Sequence, residues 1–214
     1  MSKKQALTEF HRGSILAAAE RLFSAKGIEK TTMDDIAREA EYSKATLYVY
    51  FQSKEEIVCA IMLNAMVILR KRLTEASSGE KAWVAAYHDS CLALFHFYEE
   101  NPAVYRLIID VITGRLQEKN EELDLTELLR VSGEMNQILL AFLSRGVAEG
   151  SLTTVLPVEE LSLLFWVWIS GSIHTSVRAG KPIAQQLKKT PEQFFADSAA
   201  LILRAFTRDG AQAT

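Results

Sequence analysis

Ser43-Lys44-Ala45-Thr46-Leu47-Tyr48-Val49-Tyr50-Phe51 is the stretch on which the reading of this chain turns. Set on a helix, Leu47 and Phe51 share one side at i, i+4, while Lys44 and Tyr48 share another. The first side is apolar enough to dock on a core. The second carries an ammonium and a phenol, both able to reach a polyanion. Ser43 caps the helix. Just upstream, Thr32-Met33-Asp34-Asp35 sets an N-cap Thr before an acid at N3 and opens a helix to Ala40. The inner face of that helix, Ile36, Ala37 and Ala40, is small enough for another helix to cross closely. These spacings predict a helix-turn-helix with its turn at Glu41-Tyr42.

Working outward, Phe10 to Lys26 reads as an amphipathic helix with a stripe of Phe10, Ile15, Ala19, Leu22 and Phe23, ended by Gly27. Ser53-Lys54-Glu55-Glu56 is a complete capping box, so a long fourth helix starts at Ser53 and holds its period until Ser77-Ser78-Gly79. An aromatic-rich helix from Lys81 to Glu100 follows, then one opened by Asn101-Pro102 and running to Ile112. Residues 114–125 read as a loop or frayed end, and a long helix then runs to Glu149 and Gly150. Val158 to Val177 is apolar nearly all round from Leu161 to Ile169, a pattern that predicts burial on more than one side. Residues 180–189 read as a polar connector, Thr190-Pro191-Glu192-Gln193 launches a last helix through Phe206, and residues 207–214 read as frayed.

Composition agrees with a helical protein that touches nucleic acid locally. The chain has 214 residues, 49% hydrophobic and 24% charged, at a net charge of −3. Residues 1–54 hold nine Lys/Arg against seven Asp/Glu, whereas the rest is acidic. A slightly positive head on an acidic body fits contact with phosphate at one end and poor non-specific binding elsewhere. The amino terminus lacks the apolar core of a signal peptide, and the most apolar run is too short to span a bilayer, so no membrane is expected and the protein reads as cytoplasmic. Cys59 and Cys91 sit in apolar helical patterns rather than in a disulfide or zinc spacing. His88 and Cys91 share a face at i, i+3 with no third ligand spaced to join them, so no metal site is expected. Nucleophile, metalloprotease, P-loop and dinucleotide motifs are missing, which argues against an enzyme and against a cofactor.

The order of these elements from residue 10 to about residue 60 resembles the N-terminal domain of the TetR/AcrR family of bacterial transcriptional regulators. The resemblance implies an all-α fold of about nine helices. A three-helix helix-turn-helix head (1–54) would be joined by the long fourth helix to an effector-binding and dimerisation body (55–214). It also implies a double-stranded operator as partner. Thr32 would touch a phosphate, Lys44, Ala45 and Tyr48 would face the major groove from the helix capped by Ser43, Thr46 and Tyr50 would fix the backbone, and Lys54 would pair with another phosphate. The turn departs from the family pattern. Glu41 stands where Gly is common, and a left-handed Glu costs about 1–2 kcal/mol. Tyr42 replaces a small aliphatic residue, and its hydroxyl needs water or a partner.

In the body, the aromatic helix is either packed core or the wall of an effector cavity. The cavity reading names Tyr87, His88, Cys91, Phe95, Trp166, Ile169 and His174. The apolar residues Leu161, Phe165, Phe194, Phe195, Leu201, Ile202 and Phe206 are either core or the interface of a homodimer built as a four-helix bundle. The function expected is a dimeric repressor released from a pseudo-palindromic operator by a small, largely apolar effector. The alternative is a DNA-binding protein of the same fold whose body binds a protein partner.

Overall fold

The computed structural model describes residues 2–112, 124–178 and 180–207, and among these every regular element is a helix. In chain order they are α1 (Lys3–Lys26), α2 (Met33–Glu39), α3 (Lys44–Tyr50), α4 (Lys54–Ala76), α5 (Trp83–Glu100), α6 (Pro102–Ile112), α7 (Thr126–Ala148), α8 (Val158–Arg178), α9 (Gly180–Leu187) and α10 (Pro191–Phe206). The described residues group into two compact units, one drawn from 1–66 and 106–129, the other from 67–105 and 130–214.

The first unit contains α1, α2 and α3. Ser2 and Gln5 form a reciprocal capping box, so α1 begins at Lys3 rather than near Phe10. Its buried stripe is Ile15, Leu16, Ala18, Ala19 and Phe23. Phe10, expected on that stripe, is 68% exposed and sets its ring edge against His11 instead. Thr31 is buried and donates to the Gly27 carbonyl, closing the end of α1. Ile36 and Ala37 of α2 and Leu47 of α3 complete the small core, with Phe51 buried just past the end of α3. The spacing of Leu47 and Phe51 is the one that places both on the inner face.

The turn between α2 and α3 is a Schellman motif. The Tyr42 N–H donates to the Ala37 carbonyl and the Glu41 N–H to the Arg38 carbonyl. The motif needs a left-handed residue after the cap, and Glu41 supplies it at φ 61°. Strain of about 1–2 kcal/mol is therefore built into this turn.

The second unit is organised by α5, α8 and α10. Trp83 is buried, its ring stacks on Phe142 at 4.9 Å, and its indole N–H donates to the Phe142 carbonyl at 2.8 Å. Gly146 lets that ring lie directly on α7. The Tyr87 hydroxyl crosses to α10 and donates to the Ala199 carbonyl at 2.8 Å, and Phe95 stacks on Phe195 at 5.1 Å. Thr190 and Gln193 form the capping box that starts α10.

Two further expectations are corrected. The stretch 180–189 contains α9, because Pro182 falls in the first turn, where its missing N–H costs nothing, and Ile-Ala-Gln-Gln-Leu continues as helix. Its polar composition had concealed a helix. The other concerns α8, which is not buried all round: Leu163 is 63% and Val167 64% exposed. The loop read at 114–125 and the tail at 207–214 lie outside the described residues, except for positions 124, 125 and 207. No helix among the described residues is long and apolar enough to cross a membrane.

Candidate nucleic-acid interface and effector cavity

In the head, α3 is held from both ends. At its start the Ser43 hydroxyl accepts from the Thr46 N–H at 3.1 Å and lies 2.8 Å from the Thr46 hydroxyl. At its end Arg12 of α1 donates to the Tyr50 carbonyl at 2.6 Å and lies 4.0 Å over the Phe51 ring. A guanidinium at a helix carboxyl end satisfies an orphan carbonyl and opposes the dipole. His11 adds a third brace. Its Nδ1 is 2.6 Å from the Tyr42 hydroxyl, and its ring meets those of Tyr42 and Tyr50. That is the partner the Tyr42 hydroxyl required.

With α3 fixed in this way, Ser43, Lys44, Ala45 and Tyr48 stay exposed on one helix, and Val49 beside them is 75% exposed. Thr46 and Tyr50 are half-buried. Val49 stands two residues from the buried Leu47, on the opposite side of the helix, and that spacing marks it as outward.

Besides Ser43 and Thr46, which bond each other, three more of the expected DNA contacts already have internal partners. Thr32 is exposed, but its N–H and hydroxyl both donate to the Asp35 carboxylate, at 3.1 and 2.8 Å. Lys26 also donates to that carboxylate, at 2.7 Å, and Arg38 reaches it at 3.2 Å. The Lys26 ammonium and then the Thr32 groups hold the Asp35 carboxyl far below its ordinary range. Lys44 Nζ lies 2.7 Å from Asp34 Oδ1, a contact that raises its pKa. Lys54 Nζ donates to the Ile28 carbonyl at 3.0 Å, tying the start of α4 to the loop after α1. No local pattern could reveal the Lys54 bond, since its acceptor is 26 residues away.

The residues proposed from sequence for a cavity divide. Tyr87, Cys91, Trp166 and Ile169 line one cavity in the second unit, about 560 Å³ of empty space including its open mouth. His88, Phe95 and His174 do not line it. His88 sits half-buried with its ring edge on Tyr87, Phe95 is spent on Phe195, and His174 is exposed. Leu73 of α4, Ser90 of α5 and Leu139 and Phe142 of α7 also form the wall. The wall is hydrocarbon, aromatic ring and neutral hydroxyl or thiol. Burial pushes the Cys91 thiol up to about 12 and raises Tyr87 further, so both stay protonated. The Ser90 hydroxyl oxygen is buried without a hydrogen-bond partner.

The residues proposed for a dimer interface divide as well. Leu161, Phe165 and Phe195 are buried within their own chain, contrary to a role on an open face. Phe194, Ile202 and Phe206 are half-buried, and Phe206 packs on Trp168 at 5.4 Å. Leu201 is 69% exposed, and Leu163 and Val167 of α8 join it as outward apolar side chains. On a helix apolar nearly all round, periodicity carries no phase, so sequence alone does not separate the buried residues from the outward ones.

Residues 15–61, the braced three helices and the start of α4, match the model of the bacterial regulatory proteins of the tetR family. The head of the chain is thus a tetR-family regulatory domain. It is 25% identical over 184 residues to the HTH-type transcriptional repressor NemR of Escherichia coli, covering 82% of this chain and 89% of that one. Nucleoid occlusion factor SlmA of Mannheimia succiniciproducens is 28% identical over 106 residues, about half of each chain. Among solved structures, the TetR family transcriptional regulator PfmR of Thermus thermophilus superposes with a TM-score of 0.64 at 26% identity, covering 91% of this chain and 96% of that one. A chain with this head is a DNA-binding transcriptional regulator.

Proposed function

We propose that this protein is a homodimeric repressor of the TetR family, released from a pseudo-palindromic operator by a small, apolar and uncharged effector bound in the second-unit cavity. The observation that carries the effector reading is the cavity wall, mostly apolar, with neutral hydroxyl and thiol groups and no charged side chain among its lining residues. An ion entering such a wall loses its hydration and finds no counter-charge there, whereas a neutral apolar molecule gains by burial. The Ser90 hydroxyl of the wall is buried without a hydrogen-bond partner among the described residues, and a polar atom of the effector would satisfy it. Leu163, Val167 and Leu201 support the dimer reading, as outward apolar side chains on neighbouring helices that pack on each other extensively.

In this reading residues 1–54 read DNA and residues 55–214 take the effector and the partner subunit. Thr32, Ser43, Lys44, Ala45, Thr46, Tyr48, Tyr50 and Lys54 make the DNA contacts, once Lys44 and Lys54 exchange their present acceptors for DNA. Two heads must present their α3 helices about 34–36 Å apart to read successive major grooves. Leu73 stands in the cavity wall near one end of α4, and Lys54 begins the same helix at the other. An effector that favours a different setting of α4 would change that separation, and only such a state preference can release the operator. NemR, a repressor by name, supports the direction of control. A body devoted to a protein partner gives no use for the cavity.

The test uses full-length protein bound to a palindromic duplex selected from a random pool. We expect two protomers per duplex, loss of the dimer in Leu201→Glu, and release by 1-decanol but not by decanoate at pH 8. A monomer on a single half-site would refute the dimer. Release by decanoate alone would refute the uncharged effector.

A further inference from the structure

Asp34 stands in the first turn of α2, where a carboxylate favours the helix dipole, but it takes no part in the cap. Thr32 and Asp35 cap α2 between them, and Asp35 draws its cations from Lys26 and Arg38. Asp34 instead turns to α3, where its carboxylate meets Lys44 at 2.7 Å, the one ion pair it makes among the described residues. Both side chains are 58% exposed, so the pair contributes little to folding. Its importance lies in where it places charge. The cation best positioned for the groove is already neutralised by a carboxylate on the same surface.

DNA must therefore compete with Asp34 for Lys44. A phosphate can take the ammonium, but it leaves the carboxylate facing a polyanion without compensation. A guanine beside a cytosine amino group offers more. Guanine presents O6 and N7 to a lysine, and the cytosine N4 amino group donates to a carboxylate. Such a site satisfies both members of the pair at once, with no net charge left over.

We infer that Asp34 is a specificity-determining residue of the DNA-reading head. With Lys44 it forms a charge-balanced pair that selects a guanine and a cytosine amino group in the major groove and weakens binding to all other duplexes. The inference rests on the reading of α3 as the DNA-contacting helix.

The test compares full-length wild type, Asp34→Asn, Asp34→Ser, Lys44→Gln and the double variant Asp34→Asn/Lys44→Gln. Each is measured on a random-sequence duplex and on the duplex that wild type selects from a random pool. Removing one negative charge from this surface should tighten binding to the random duplex about fivefold at physiological salt. The slope of log affinity against log salt should steepen by about one, and selected sites should lose a G·C preference in each half. In the Lys44→Gln background the gain should fall by at least half, the signature of a residue acting through its partner. Asp34→Ser should repeat the result, which guards against a variant that fails to fold. Equal losses on both duplexes would show a structural role and overturn the proposal, as would an unchanged salt slope and base preference. If wild type selects no sequence at all, the reading of α3 itself fails.

Discussion

Gly146→Ala should unfold this protein more easily, although Ala is the better helix former. A Cβ at position 146 of α7 would lie 2.4 Å from Trp83 Cε2 and 2.6 Å from its Nε1. No flexible end is available to yield, because Trp83 is buried, stacked on Phe142 and hydrogen-bonded to the Phe142 carbonyl. Overpacking of this kind costs about 1–3 kcal/mol. Displacing the indole also removes a net hydrogen bond of about 1 kcal/mol and leaves buried groups unpaired. Against this stands a gain of about 1 kcal/mol from replacing a helical glycine. The net expectation is a loss of about 1–3 kcal/mol. Gly133 lies on the same helix with nothing within 4 Å of the point where an added methyl would stand, so Gly133→Ala keeps the gain alone and should stabilise by about 1 kcal/mol. Urea titration at fixed protomer concentration reads both, as opposite shifts of the midpoint at an unchanged slope. A Gly146→Ala midpoint at or above wild type would refute the packing described for Trp83.

Other consequences are open to direct measurement. Glu41→Gly relieves the left-handed strain of the Schellman turn and should raise the stability of the head by about 1 kcal/mol, read by denaturant titration; a loss would mean the Glu41 side chain contributes more than its backbone costs. Cys91 is 5% exposed with its thiol pKa pushed up to about 12, and burial followed by Glu55 and Glu56 raises Cys59. At pH 8 a thiol reagent should therefore label the folded protein slowly and find two thiols once it is unfolded. Fast labelling of either cysteine in the folded chain would contradict that burial. The Asp35 carboxyl is held below its ordinary 3.8, so its contribution is present above that pH and is lost as pH falls toward the folded value. The stability difference between wild type and Asp35→Asn should be constant above about pH 5 and shrink below pH 3.8. A pH-independent difference would rule out the charged cap.

Local chemistry was legible in the sequence and distant chemistry was not. The boxes at Thr32/Asp35 and Thr190/Gln193 could be read because cap and partner lie three residues apart. Leu47 and Phe51 could be read because a short helix packed on one side keeps its phase. The braces on α3 were invisible. Arg12 and the Tyr50 carbonyl are 38 residues apart, and His11 and Tyr42 are 31 apart, with no periodic signal to connect them. Of the seven residues named for a cavity, four stand in the wall and three do not. Helix α5 is aromatic on several sides, so composition marked the helix while geometry decided that Cys91 faces the cavity and Phe95 faces Phe195.

The Tyr87 hydroxyl bonds a main-chain carbonyl of α10 rather than a side chain. The tie between the cavity wall and α10 is therefore indifferent to the identity of most residues on α10. Mutational drift on that helix can change its outer surface, and with it the choice of oligomeric partner, while the link persists through the backbone. Selection on this hydrogen bond acts on the donor side alone, at the codon of Tyr87.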